Sequence, residues 1–253
     1  MSNRFERTEL LIGKEALEKL KNSKIVVYGV GGVGSYVVEA LSRAGVGHLV
    51  LVDFDDVDIT NINRQIEALD STIGRLKVEV MKERILEINP QAIVDIYKPD
   101  EVENGETSLI DDTVTYVVDA IDTITNKLKI IEKASKENVK IISATGAANK
   151  LDPTKFEVAD IYKTSVCPVC KILRKELKQR NIKKLKIVYS KEEPLKIQKE
   201  ETNKELNKEN IDQNSKEKIK KEKKPRKLLG SISFVPSVAG LIIASEVVKD
   251  IIK

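Results

Sequence analysis

Residues 24–55, KIVVYGVGGVGSYVVEALSRAGVGHLVLVDFD, decide the fold. An apolar run over 24–29 reads as a buried strand, residues 34–44 carry helical periodicity, and 48–53 form a second apolar strand. Between the first strand and the helix, Gly29, Gly31 and Gly34 fit the spacing G-x-G-x-x-G, and Gly32 adds a further position without a Cβ. Such a turn lets main-chain N–H groups approach phosphates at a helix N-terminus, where the helix dipole favours negative charge. Asp53 ends the second strand 19 residues after Gly34, the usual place for a ribose-hydroxyl acceptor. Strand, helix and acidic strand end together point to a nucleotide.

The pattern continues outward. A helix is expected over 73–88, with Val78, Met81, Ile85 and Ile88 on one stripe, ended by Asn89-Pro90. Strands are expected at 92–97, 114–119 and 139–144, with a helix over 125–137, and a short helix over 8–22 precedes the first strand. Strands alternating with helices predict an α/β fold, a doubly wound, Rossmann-like and mostly parallel sheet over 1–150. Residues 151–253 read as a smaller α+β extension packed on the same domain. There, 156–161 and 185–190 are strand-like, a basic helix covers 168–180, and GSISF (230–234) reads as a strand leading into a C-terminal helix. That helix has Pro236 in its first turn and a predicted packing stripe of Val238, Leu241, Ile242, Ser245 and Val248.

Charge is unevenly spread. The 253 residues carry a formal net charge of +4, and 191–228 hold 13 Lys/Arg against 9 Asp/Glu, so the excess sits there. This stretch has few large apolar side chains and reads as a disordered or solvated insertion. Its lysine-rich run 216–227 could track nucleic-acid phosphates, but it lacks aromatics for base stacking. The N-terminus lacks the apolar core of a signal peptide, and 237–252 is too short and too charged to span a bilayer. Two cysteines make no disulfide framework, so the expectation is a reduced, cytoplasmic protein.

Behind the glycine turn come Asp55, then Asn61, Arg64 and Gln65 in TNINRQ, Lys77 at the start of a helix, and Asp122 just past a strand end. The carboxyl ends of a doubly wound sheet bring such positions to one crevice. The set suits adenylyl transfer: Asp53 accepting from ribose, Arg64 and Lys77 neutralising a triphosphate, Asp122 holding Mg²⁺. Solvated charges at 64 and 77 and a helix cap at 122 are the plain alternatives.

GVGGVGS, LVDFDDVDITNINRQ, IGRLK, INP and DAIDT together resemble the E1-like superfamily that activates carboxyl groups with ATP. Within it, RFERTELLIG, SATGAANKLDPTKFEVADIYKTSVCP and GSISFVPSVAGLIIASEVV are similar to the tRNA threonylcarbamoyladenosine dehydratases, over about 1–190 and 229–253. The resemblance implies that Gly31, Gly32 and Asp53 hold ATP, that Asn61, Arg64 and Lys77 contact its phosphates, and that Asp122 holds magnesium. It further implies a homodimer in which Arg7, and also Arg4, reaches a neighbour's γ-phosphate. The implied substrate is tRNA carrying threonylcarbamoyladenosine in its anticodon loop, whose carboxylate is adenylated and then cyclised with net loss of water; no sulfur-relay partner is identified. Cys167 and Cys170 form half of a tetrahedral zinc set, but with no second pair and one histidine, His48, the sequence argues against zinc. Two partly buried thiols are the preferred reading. Competing functions are activation of a small ubiquitin-like sulfur carrier, which shares the ATP site, NAD-dependent oxidation, which the glycine turn alone would support, and a non-catalytic nucleotide-binding partner.

Overall fold

The first apolar run forms β1 (Lys24–Tyr28), in which Ile25 and Val27 face one side of a sheet and Val26 and Tyr28 the other. All four are essentially inaccessible to solvent, as a central parallel strand covered on both faces requires. The structure, a computed structural model, describes residues 3–97, 106–196 and 229–253. From 197 to 228, the segment expected to be solvated lies outside the described residues.

After β1 come α3 (Gly34–Ala44), preceded by α1 (Glu6–Ile12) and α2 (Lys14–Lys21), then β2 (His48–Val52), α4 (Lys77–Ile88) and β3 (Ile93–Tyr97). β4 (Tyr116–Asp119), α5 (Ile124–Lys136) and β5 (Lys140–Ala144) follow. β6 (Phe156–Asp160), α6 (Pro168–Gln179), β7 (Lys186–Ser190) and α7 (Phe234–Ile252) complete the described chain. The seven strands form one sheet in the order β3-β2-β1-β4-β5-β7-β6, parallel except for β6 against β7. β1 and β4 run parallel, but the order in which strands are added reverses between them, so their carboxyl ends open a crevice.

One face of the sheet carries α2, α3, α4 and α7, whose Leu20, Val37, Leu41, Met81 and Ile243 pack on Ile25, Val27 and Leu51. The other carries α5 and α6. Burying each of these side chains stabilises the fold by about 1.5–3 kcal/mol relative to leaving it exposed.

Several expected elements differ. The single helix over 8–22 is two helices divided at Gly13. The helix expected from 73 begins at Lys77, because Leu76 is drawn into an antiparallel bridge with Asp56. GSISF is not a strand. Gly230 exchanges main-chain and side-chain hydrogen bonds with Asn149, and the Ser231 carbonyl accepts from Asn63 Nδ2 at 3.0 Å, so loops satisfy this backbone. The packing stripe of α7 is only partly the expected one: Val238, Ile242 and Val248 pack half-buried against the core, but its centre lies elsewhere. Val235, Ala239, Gly240, Ile243, Ala244 and Val247 face the core, while Leu241 is 48% exposed and Ser245 faces solvent. α7 is apolar around much of its circumference, so periodicity alone selects no face. Small residues do: a Cβ at Gly240 would lie 2.4 Å from the Val33 carbonyl oxygen, at the closest approach of α7 to α3.

Beneath the crevice, α5 is tied to the sheet by a buried ion pair. Lys127 Nζ donates to Asp119 Oδ2 (2.8 Å), Ser143 Oγ (3.2 Å) and the Ala144 carbonyl (3.0 Å), and Ser143 Oγ donates to the same carboxylate at 2.5 Å. Both charged side chains are almost fully inaccessible. Removing one partner strands the other charge in the core, which costs more than losing the pair together. Lys127→Met should therefore lower stability in chemical denaturation by about 3–5 kcal/mol, and adding Asp119→Leu should restore much of the loss. A single variant as stable as the parent would show that the pair does not brace the sheet.

Candidate active site

The glycine turn is shaped by main-chain crowding. Gly29 has φ +85°, and a Cβ there would lie 2.8 Å from the Ala120 carbonyl oxygen beyond β4. A Cβ at Gly34 would fall 1.8 Å from the Gly29 oxygen, so only glycine permits α3 to start so close to β1. The Ser35 and Val37 N–H groups close the first turn on Gly31 and Val33. The N–H groups ahead of them form the positive end of the helix.

Asp53 sits at the end of β2. Its Oδ2 accepts from the Val30 N–H at 2.6 Å and its Oδ1 from the Asp55 N–H at 3.0 Å. The carboxylate thus clamps the glycine turn to β2, and each oxygen keeps a further lone pair for a ribose hydroxyl.

The loop after β2 returns towards the turn. Gln65 is buried against Gly31, its side chain 3.5 Å from where a Cβ there would be, and Arg64 Cγ stands at the same distance from a Cβ at Gly32. The Arg64 guanidinium is exposed and donates to the Thr60 carbonyl and to Asn63 Oδ1. Buried Asn61 accepts from the Asp58 N–H through its side chain, closing a capping box on the short 3₁₀ turn 59–61. Lys77 is 5% exposed, yet its Nζ reaches Asp55 Oδ2 at 3.1 Å. Asn61, Lys77 and Asp55 share a cleft of about 470 Å³ with Asp58, Ile73 and Gly74. Asp122 is exposed just beyond β4 and accepts from its neighbour Thr123 at 3.1 Å. It makes no cap for α5, whose N-terminus at Thr123 has no side-chain cap.

Arg7 and Arg4 stand elsewhere. Arg4 donates to the Ile88 carbonyl at 2.6 Å and lines a second cavity with Arg43 and Arg84. Arg43 belongs to the last turn of α3, opposite the glycine turn, and α3 is about 16 Å long at 1.5 Å per residue. Arg7 follows on α1, exposed to solvent. Neither joins Arg64 and Lys77 within one chain.

Three features escape the sequence reading. Glu67 is 2% exposed, and burial pushes its carboxyl up to about 7. The Asp119–Lys127 pair is the second; its one sequence signal is a lysine on the inward stripe Ile124, Lys127, Leu128, Ile131. The third is the contact between the two thiols, whose burial at a helix start was expected. Cys167 and Cys170 are free and buried at the start of α6, where Thr145 Oγ1 lies 3.2 Å from Cys170 Sγ. The hydrogen bond from Cys170 draws the Cys167 thiol down to about 6, and the same contact, with burial, pushes Cys170 up. Among the described residues no three His, Cys, Asp or Glu side chains gather as a metal cluster. His48, at the start of β2, pairs with Asp95 midway along β3 at 2.8 Å.

Comparison with known proteins follows this geometry. The chain is 47% identical to the Bacillus subtilis tRNA threonylcarbamoyladenosine dehydratase, over all of this chain and 96% of that protein. The Escherichia coli protein of that name is 39% identical over 69% of this chain and 65% of its own length. The solved structure of E. coli TcdA in complex with ATP superimposes with a TM-score of 0.79 at 32% identity, covering 98% of this chain and 93% of that one. The ThiF family profile matches residues 5–253. The chain belongs to the ThiF family and, by its full-length identity, to the tRNA threonylcarbamoyladenosine dehydratases within it.

Proposed function

We propose that this chain catalyses the ATP-dependent dehydration of N6-threonylcarbamoyladenosine in the anticodon loop of tRNA, working as a cytoplasmic homodimer. The observation that carries this reading is the 47% identity along the entire chain, because a glycine turn by itself serves NAD equally well. The structure of a relative with ATP supports the choice of nucleotide.

In this reading Asp53 seats the ribose of ATP, and the N–H groups of the glycine turn at the start of α3 face its phosphates. Asn61, Arg64, Gln65 and Lys77 orient the phosphates, and the threonyl carboxylate attacks the α-phosphorus to give an acyl-adenylate and pyrophosphate. A nucleophilic atom of the carbamoyl group then attacks the activated carbonyl, closes a five-membered ring and releases AMP. The reaction needs positioning and charge stabilisation rather than a protein nucleophile. Asp122 fits a magnesium ion: it is an exposed oxygen donor at the crevice, and Mg²⁺ is commonly held by one or two carboxylates together with substrate phosphates. When bound, the ion would offset the charge on the phosphate oxygens. Asp55 keeps the buried ammonium of Lys77 paired until an anionic ligand can take its place.

Arg7 would act across the dimer. It stands apart from the crevice of its own chain, beside Leu10 and Leu11, which are 82% and 85% exposed on a helix with no fully buried residue. A second copy covering these leucines would account for their exposure. Activation of a sulfur-carrier protein is the second reading, supported by 32% identity to the Salmonella typhimurium molybdopterin-synthase adenylyltransferase, over 59% of each chain.

Asp122→Ala should keep its fold and lose AMP formation on modified tRNA by about 10²–10³-fold, the scale of losing one group that stabilises transition-state charge. Undiminished magnesium-dependent turnover would remove Asp122 from the site. Arg7→Ala homodimers should be impaired, and mixing them with Asp122→Ala protein should restore activity by forming one intact site per heterodimer. An active Arg7→Ala homodimer, or no complementation on mixing, would contradict action across the interface.

A further inference from the structure

Three buried atoms in the loop after β2 find no hydrogen-bond partner among the described residues: Gln65 Oε1 and both carboxylate oxygens of Glu67. All three are acceptors. A buried carboxylate without a donor is costly, and a single carboxylate with neither oxygen satisfied asks for an explanation. The groups facing Glu67 offset this only in part. The Ser35 hydroxyl, on the first turn of α3, and the residue's own N–H draw the carboxyl down without closing a hydrogen bond of good geometry, and Asp53 at the end of β2 adds negative charge. Lys77 faces it from α4, but its ammonium is held by Asp55 at 3.1 Å. On its own loop, the Thr72 hydroxyl donates to the main-chain oxygen of Glu67 rather than to the carboxyl.

A proton on Glu67 removes the buried charge and turns one of its two oxygens into a donor. Burial already favours that form, holding the carboxyl near 7, where it is divided between acid and carboxylate in neutral solution. Ser35 follows Gly34 directly, so Glu67 faces the helix N-terminus at which nucleotide phosphates are received. A triphosphate there adds negative charge to a space that already contains Asp53 and Asp55.

We propose that Glu67 is a further residue of the nucleotide site, which accepts the phosphate chain with its carboxyl neutral, so that binding ATP takes up a proton. The proposal rests on the reading of the crevice as an ATP site. The balance is simple: Glu67 carboxylate, a proton from solvent and ATP give the complex with Glu67 as the acid. Its O–H is then a donor where the carboxylate was a repelling charge. The sign follows: affinity is full below the free protein's titration and falls as pH rises through it. With a free value near 7, binding should weaken about tenfold between pH 6 and pH 8, and about 0.9 proton should be taken up per ATP at pH 8.

Titration calorimetry with ATP and excess magnesium, in buffers of differing ionisation enthalpy, measures this directly. At pH 8 the magnesium complex of ATP carries no titrating proton of its own, so uptake belongs to the protein. Wild-type protein should show that uptake, and Glu67→Gln, which keeps the size and a neutral donor, should lose it and flatten the pH profile. Equal uptake in both proteins, or none in the wild type, overturns the role of Glu67 while leaving ATP binding intact. Should Glu67→Gln fail to fold, the wild-type buffer dependence decides alone. If wild-type protein binds no ATP at any pH, the reading of the crevice fails and the proposal with it.

Discussion

The closeness of two backbones at the end of β1 is the constraint on which the rest depends. α3 can begin directly over the Gly29 carbonyl only because Gly34 has no side chain to place in the 1.8 Å beyond it. That approach brings the positive end of α3 to the switch point of the sheet, against the Ala120 carbonyl beyond β4. Asp53 then fastens the turn to the end of β2 through the Val30 N–H. At the other side of α3, the small face of α7 repeats the device, with Gly240 against the Val33 carbonyl. Backbone proximity on both sides of one helix therefore fixes where an anion can sit.

Charge in the crevice is arranged in two tiers. Buried deepest, Lys127 and Asp119 neutralise one another and satisfy Ser143, so β4, β5 and α5 meet as one rigid floor. Above that floor the pairing is looser: Lys77 holds the exposed Asp55, Arg64 donates to its own loop, and the Glu67 carboxylate finds no hydrogen-bond partner among the described residues. A settled floor beneath an unsettled upper tier is what a site for a charged ligand requires, because the unpaired groups are released to the ligand without reorganising the sheet. The thiols of Cys167 and Cys170 stand outside this arrangement, paired with each other and with Thr145 at the start of α6.

Much of this was legible in the sequence where local chemistry determines the outcome. The glycine spacing, the Asn89-Pro90 stop and the alternating apolar runs located β1, α3, β2 and α4 because each signal is contained within a few neighbouring residues. The stripe of α7 was misjudged for the opposite reason. Apolar residues surround most of the helix before Ser245, so pattern alone does not orient that part, and the decisive contact is with the Val33 carbonyl, some two hundred positions earlier. GSISF has strand composition, yet Asn63 and Asn149 satisfy its backbone, which no local pattern reveals. Glu67, between Ile66 and Ala68, carries no local signal of the burial the fold imposes on it. Arg7 keeps its meaning only if a second copy of the chain completes the crevice.

The central claim is that this crevice drives loss of water from a tRNA nucleoside at the expense of ATP. Mass spectrometry of nucleosides from tRNA carrying threonylcarbamoyladenosine, incubated with the protein, ATP and magnesium, tests it most directly. The account predicts conversion to a species lighter by one water, with one AMP released per nucleoside converted and no conversion without ATP. Unchanged nucleosides alongside adenylation of a small carrier protein's C-terminus would contradict it.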